Sequence, residues 1–150
     1  MLALQDVMDM RDDNLFKAAS GLAGGIGHMH DACGALLGGS LMLGLKYGRG
    51  REEVEDTKKL YSSSVPVGKL YKWFEKEFGS ATCQEIRTRF AGGAFYNLDI
   101  PWQAELAKEA GLAERCAELT GKTAARVVEM LWDGLEEGKK GAKGEKARKG

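Results

Sequence analysis

Three cysteines, at positions 33, 83 and 116, are the side chains of this 150-residue chain with the widest choice of chemistry. They lie 50 and 33 residues apart and include no CxxC pair. An odd number of cysteines at this spacing argues against a disulfide framework and against a zinc ribbon built from local pairs. The absence of a CxxCH motif also excludes covalent haem attachment. If Cys33, Cys83 and Cys116 act together, the fold must bring them together.

Two of the cysteines are predicted to lie at the starts of helices. Asp31 is expected to cap a helix that carries Cys33 in its first turn. Thr82, with Glu85 three residues later, forms a capping-box pattern just before Cys83. A helix N-terminus stabilises negative charge, so both positions favour a thiolate over a thiol. The alternative is that each cysteine is buried simply as a small apolar side chain.

A glycine-rich loop precedes the first cysteine and is the other candidate for a functional site. Four of the seven residues 21–27 are glycine, a density that predicts a loop with special backbone geometry. His28 and His30 follow directly. Their imidazoles could supply nitrogen ligands to a metal or a base for a Cys33 nucleophile, or they could be ordinary loop residues. The candidate cofactor-binding residues are Gly24, Gly25, Gly27, His28 and His30.

The elements that must position these residues are all predicted to be helices. Residues 32–47 carry no charge before Lys46 and predict a buried, Gly/Ala-rich central helix. About six helices are expected around it, at residues 13–19, 52–61, 64–78, 82–90, 101–111 and 123–137. No segment alternates as a strand does, so the predicted fold is an all-α single-domain bundle.

Charge divides the chain into two parts, although the net charge is zero. Residues 138–150 hold six basic residues and one acidic residue and no apolar side chain larger than alanine, which predicts a flexible basic tail. The predicted domain, residues 1–137, holds 16 basic and 21 acidic residues, so no nucleic-acid partner is expected. No stretch approaches about 20 apolar residues and the N-terminus has no basic lead, which predicts a cytoplasmic protein with no membrane partner.

Residues 19–48 resemble the family of redox-active proteins that is named for a C-GCAxxG-C-C pattern. The most specific part is the glycine-rich loop joined to Cys33-Gly34-Ala35-Leu36-Leu37-Gly38. Residues 74–83 are similar to the segment that supplies the next cysteine of the family, and residues 114–119 to the region of its last cysteine. The resemblance covers about residues 15–135. It departs from the pattern at the family's first cysteine, because residues 1–32 contain none.

The resemblance implies a cysteine-lined redox or metal site with an iron–sulfur cluster or another thiolate-bound metal. Cys33, Cys83 and Cys116 would be its metal ligands, and the redox partner is unknown. Because such clusters normally take four protein ligands, a histidine, a carboxylate, solvent or a partner chain would fill the fourth place. The resemblance leaves open whether the protein is an enzyme.

A second hypothesis is a non-catalytic helical oligomerisation or binding module that has lost the cofactor site. It is indicated by the missing first cysteine and by the apolar surface that Trp73, Trp102 and Trp132 could present. This hypothesis predicts a homo-oligomer.

Overall fold

The computed structural model describes the backbone of residues 1–148 and the side chains of residues 1–134. This part of the chain is all-α, as predicted, with one isolated antiparallel bridge and no strand. Two short 3-10 turns, Ser20–Leu22 and Arg51–Glu53, lie between helices. The seven α-helices are α1 (Leu2–Val7), α2 (Asp13–Ala19), α3 (Gly34–Tyr47), α4 (Thr57–Phe78), α5 (Cys83–Phe90), α6 (Pro101–Glu109) and α7 (Leu112–Arg148).

Helix α3 lies at the centre of the bundle, as its uniform apolarity predicts, and packs against α4 and α7. The three helices approach most closely at Gly39. A Cβ atom there would lie 2.9 Å from the side chain of Val127 and 3.0 Å from that of Leu70. Only a residue without a side chain leaves room for both neighbours. The buried core around this crossing consists of Leu4, Leu36, Met42, Leu43, Leu70, Phe74, Ala81, Ile86, Leu119, Val127 and Leu131.

The prediction of two helices within residues 52–78, broken at three serines, is wrong. Helix α4 begins at Thr57, where the Asp56 carboxylate accepts a hydrogen bond from the backbone N–H of Lys59. It continues through Pro66 to Phe78. The Ser62 hydroxyl donates to the carbonyl of Lys58, so this serine is accommodated inside the helix.

The predicted start of the last helix at residue 123 is also wrong, because α7 begins at Leu112 and runs continuously across Gly121. Glycine in a helix interior costs about 1 kcal/mol relative to alanine. That cost is offset because four buried side chains at intervals of four residues form one stripe on both sides of Gly121, namely Leu119, Thr123, Val127 and Leu131. The side chains of the predicted basic tail, residues 138–150, lie outside the described part of the chain, and its flexibility stays a prediction.

Candidate metal and redox site

An antiparallel bridge between Ala32 and Thr82 joins the starts of α3 and α5. The backbone N–H of Cys33 donates to the carbonyl of Ala81 over 2.8 Å, and the N–H of Cys83 donates to the carbonyl of Asp31 over 2.7 Å. Because side chains alternate along extended backbone, both cysteines lie on the same side of this bridge, opposite to Ala32 and Thr82. Diagonal positions of this kind are about 7–8 Å apart.

The bridge corrects the predicted start of α3. Asp31 does not cap the helix, since its carbonyl is used in the bridge, and the N-cap position falls on Cys33 instead. The start of α5 is as predicted: the Thr82 hydroxyl accepts a hydrogen bond from the N–H of Glu85, and Cys83 is the first helical residue. Both cysteines therefore lie at the entrance to a helix.

Cys116 lies on the second turn of α7, which packs against α5. We refer to the surroundings of Cys33, Cys83 and Cys116 as the thiol region. The charges of Cys83 and Cys33 both act on the Cys116 thiol, and the charge of Cys83 acts on Cys33. These mutual effects place the three thiols in one electrostatic neighbourhood. All three cysteines are half-buried and free of disulfides.

Burial has the largest effect on the protonation of Cys33 and Cys116. Burial raises the pKa of the Cys33 thiol, and the charge of Cys83 raises it further. The amides of Ala35 and Leu36 in the first turn of α3 lower this pKa, as the helix-start prediction requires, but burial outweighs them. Burial also raises the pKa of Cys116, and so do the charges of Cys83 and Cys33, whereas Arg87 lowers it. Without a bound cation these two thiols are protonated at neutral pH.

The glycine-rich loop covers the Cys83 side of the region. In the structure this loop includes residues 21–30. Six of these residues have positive φ angles between 59° and 80°: Gly24, Gly25, Ile26, Gly27, His28 and His30. Gly25 is buried with φ +80°, and a Cβ atom there would lie 2.8 Å from the N atom of Asp31 and 2.9 Å from the Cβ of Cys83. Glycine at position 25 thus allows the loop backbone to lie directly on Cys83.

His30, at the end of the loop, is held by a buried arginine. The Arg87 guanidinium lies 3.3 Å from Nδ1 of His30 and donates to the carbonyl of Tyr96 over 2.9 Å. The Phe95 ring packs against both, 5.1 Å from the His30 ring and 5.9 Å from the guanidinium carbon. Burial and the charge of Arg87 lower the pKa of His30, and the charge of His28 lowers it further, against an opposing effect of Asp99.

The Arg87 contact also fixes the tautomer of His30. A guanidinium can only donate hydrogen bonds, so Nδ1 is the acceptor and Nε2 carries the proton. A histidine that binds a metal through one nitrogen normally donates from the other. His30 therefore binds a metal only after Arg87 releases Nδ1.

Sequence reasoning identified the three cysteines, Gly25 and His30, which the structure brings to one end of the bundle. Gly27 and His28 lie in the same loop but are exposed. Arg87 and Phe95 were missed. The spacing of Cys83 and Arg87 could have indicated the arginine, because residues four apart share one face of a helix.

The donor set fits a thiolate-bound metal chemically, since soft thiolates select zinc and iron–sulfur clusters. The positions of these donor side chains fit a metal ion less closely. Within residues 1–134, no group of three His, Cys, Asp or Glu side chains is arranged to hold a metal ion. Binding by all three thiolates would therefore require the sulfurs to move closer together.

An apolar cavity of about 520 Å³ lies between the N-terminal helices, α3 and α7. Met1, Phe16 and Thr123 are among the residues that line it, and none of the three cysteines does. The cavity adjoins the thiol region, because Gly34 and Ala35, directly after Cys33, also line it.

The structure is that of a small helical protein whose three free cysteines lie near the N-terminal ends of α3, α5 and α7. The family model described as "Putative redox-active protein (C_GCAxxG_C_C)" matches residues 1–130, and the chain belongs to this family. No curated protein and no solved structure gives a significant match. Among the described helices, none combines the length and the apolarity that crossing a bilayer requires.

Proposed function

We propose that Cys33, Cys83 and Cys116 form one redox-active site that takes up a thiolate-bound metal, an iron–sulfur cluster in the first place. The convergence of three half-buried thiols from positions 50 and 33 residues apart in the chain carries this proposal. Membership of the redox-active family supports it.

The protonation of the thiols favours metal binding over nucleophilic catalysis. A nucleophilic cysteine needs a lowered pKa, whereas burial raises the pKa of Cys33 and Cys116. A metal removes these protons on binding, and its charge replaces the repulsion between the sulfurs. A change between staggered χ1 rotamers can move a cysteine sulfur without moving the backbone.

Residues 1–150 supply three thiols. In the proposed site, solvent, an added thiol or a redox partner fills the fourth place. His30 is poorly prepared for this role while Arg87 holds Nδ1. A coordination place open to exchange is also where an electron donor or acceptor could approach the site.

Anaerobic purification followed by iron, sulfide and zinc analysis tests the proposal. We expect one metal site per chain, and each of Cys33→Ser, Cys83→Ser and Cys116→Ser should lower occupancy about 10-fold or more, in line with the loss of a thiolate ligand. Ala117→Ser is the matched control, since it adds a hydroxyl at an exposed position beside Cys116 and removes no thiol. Metal-free protein that stays metal-free after reconstitution with iron and sulfide, and equally with zinc, would overturn the proposal.

The oligomerisation module remains the second candidate because of its exposed tryptophans. Trp102 is 64% exposed and Trp132 is 60% exposed, whereas Trp73 packs against the core. Light scattering distinguishes the candidates. A metal-free oligomer that dissociates in Trp102→Ser or Trp132→Ser would favour the module, and a metal-loaded monomer would exclude it.

A further inference from the structure

The cavity between the N-terminal helices, α3 and α7 has the size of a small-molecule binding site. Its volume of about 520 Å³ falls within the range of about 300–1,000 Å³ that is typical of ligand pockets. Protein interiors contain few voids larger than one water molecule, so ordinary packing does not account for a space of this size. Two of the lining side chains, Leu2 and Phe16, are 58% and 43% exposed, so a ligand can enter between them from solvent.

The lining of the cavity determines which charge a ligand can carry. It consists of methionine, leucine, phenylalanine, alanine, glycine, serine and threonine residues. Among these lining residues, all of which lie within residues 1–124, none has a charged side chain. An ion in this space would lose water without gaining an opposite side-chain charge, which is unfavourable. The cavity therefore favours an uncharged molecule.

The hydroxyl groups of the lining limit the polar groups that a ligand can use. Ser20, Thr120 and Thr123 each donate a hydrogen bond to the backbone carbonyl four residues earlier, over 3.5, 2.8 and 2.8 Å. A hydroxyl group has a single hydrogen, so these three side chains can only accept a further hydrogen bond. The cavity thus suits an apolar molecule whose polar part, if it has one, is a donor such as an alcohol.

Gly38 leaves part of this space free. A Cβ atom at position 38 would lie 3.8 Å from the Cβ of Met1, which is an ordinary van der Waals contact. At Gly39, by contrast, the side chains of Val127 and Leu70 leave no room for a Cβ atom. Because Gly38 lines the cavity, a larger side chain there would fill the cavity without displacing the core.

We propose that this cavity is a binding site for a small uncharged apolar molecule, of the size of a medium-chain alcohol and with at most one hydroxyl group. Removal of apolar ligand surface from water supplies the binding free energy. Gly34 and Ala35 line the cavity, so the bound molecule lies beside the first turn of α3. This inference is independent of the proposed function, because it involves neither a thiol nor a metal.

Binding of N-phenyl-1-naphthylamine, an uncharged apolar dye that fluoresces when it leaves water, tests the proposal on the full chain. We expect saturable binding of the dye and its displacement by 1-decanol. Gly38→Leu should weaken the binding of both about 10-fold or more, because the leucine side chain occupies the space that the ligand needs. Gly44→Leu is the matched control on the same helix. Position 44 does not line the cavity and has nothing within 4 Å, so this variant should stay within about 2-fold of the wild type.

A second pair of variants keeps the test decisive if Gly38→Leu does not fold, which circular dichroism and thermal melting would show. Ala124 lines the cavity from α7, whereas the neighbouring Ala125 is exposed and does not. Ala124→Leu should weaken dye binding as Gly38→Leu does, and Ala125→Leu should leave it unchanged.

Decanoate, an equally long chain that ends in a carboxylate, tests the assigned ligand class. It should displace the dye about 10-fold or more weakly than 1-decanol, because its charge has no partner among the lining side chains. Equal displacement by the two compounds would overturn the assignment to an uncharged ligand.

Two further results would overturn the site itself. One is dye binding that does not saturate, or that is equal in Gly38→Leu, Ala124→Leu and the wild type. The other is an oligomer, seen by light scattering, that Gly38→Leu dissociates, because a second copy of the chain would then cover the cavity.

Discussion

Two neighbouring parts of the molecule differ in how they are built. One is the crossing of α3, α4 and α7, and the other is the thiol region at the N-terminal end of α3. At the crossing, Gly39 brings apolar side chains into contact, and Leu70 and Val127 are completely buried. In the thiol region the loop adopts left-handed backbone angles, the cysteines are half-buried, and the buried Arg87 forms no ion pair within residues 1–134. The first arrangement maximises stability. The second holds non-glycine residues in left-handed backbone angles, which costs stability.

The largest expected effect lies in the core. Phe74 is completely buried and packs edge-on against Phe78, with ring centroids 4.7 Å apart. Phe74→Ala should lower the free energy of unfolding of the metal-free protein by about 3–5 kcal/mol in urea titrations. Val65→Ala, at a position 52% exposed on the same helix, should change it by less than about 0.5 kcal/mol. The comparison fails if Phe74→Ala abolishes metal uptake while leaving stability nearly intact.

Variants of two loop glycines distinguish the effect of backbone strain from the effect of contact with the thiol region. Gly25→Ala and Gly27→Ala both place alanine at positive φ, at a cost of about 1–2 kcal/mol. Only Gly25→Ala also meets the Asp31 backbone and Cys83, whereas position 27 has nothing within 4 Å. We expect Gly25→Ala to lose a further 1 kcal/mol or so and to lose metal uptake, since overpacking carries a cost of this size. Equal uptake by the two variants would show that the loop does not support the site.

The charges of the thiol region predict an alkaline loss of stability that the core does not share. Burial raises the pKa of Cys33 and Cys116 above their ordinary value of 9.0, so the unfolded chain releases these protons at lower pH than the folded one. Their stabilisation is complete below pH 9 and is lost as the pH rises through the folded values. Urea unfolding of the metal-free protein should show this decline, and the double variant Cys33→Ala, Cys116→Ala should reduce it. A decline of the same steepness in both proteins would assign it to other groups.

The smallest expected effect is on the acidic side and concerns His30. Burial, followed by the charge of Arg87, lowers the pKa of His30 below its ordinary value of 6.5. Its stabilisation is therefore complete above pH 6.5 and is lost as the pH falls. Replacing it by glutamine keeps a hydrogen-bond acceptor for Arg87 and should flatten the acidic part of the stability profile. An unchanged profile in His30→Gln would place the titrating group elsewhere.

The sequence predicted the elements wherever local chemistry decides them. The all-α fold, the cap at Thr82 and the central position of α3 are confirmed. The predicted break at residues 62–64 and the predicted start of the last helix at about residue 123 are wrong, because tertiary packing outweighs local propensity where an apolar stripe continues across a weak helix former. The cap of α3 was misplaced because the bridge to Thr82 pairs residues 50 apart in the chain, which no local pattern reveals.

The candidate site was also predictable only in part. Cysteine count and helix-start positions directed attention to the three thiols, but only the tertiary fold brings Cys116 to the other two. The sequence around Arg87, CQEIRTRF, is typical of a solvent-exposed charged helix. The arginine is buried because residues 94–97, which show no periodicity, fold over it. The burial of Arg87 could therefore not be predicted from the sequence.

The most direct measurement of whether three sulfurs share one metal is X-ray absorption at the zinc edge of the reconstituted protein, with the single cysteine variants beside it. We predict three sulfur neighbours at about 2.3 Å and one lighter atom in the wild type, falling to two sulfurs in Cys33→Ser, Cys83→Ser and Cys116→Ser alike. A wild-type spectrum with fewer than three sulfurs, or one cysteine whose replacement leaves the sulfur count unchanged, would contradict a common site.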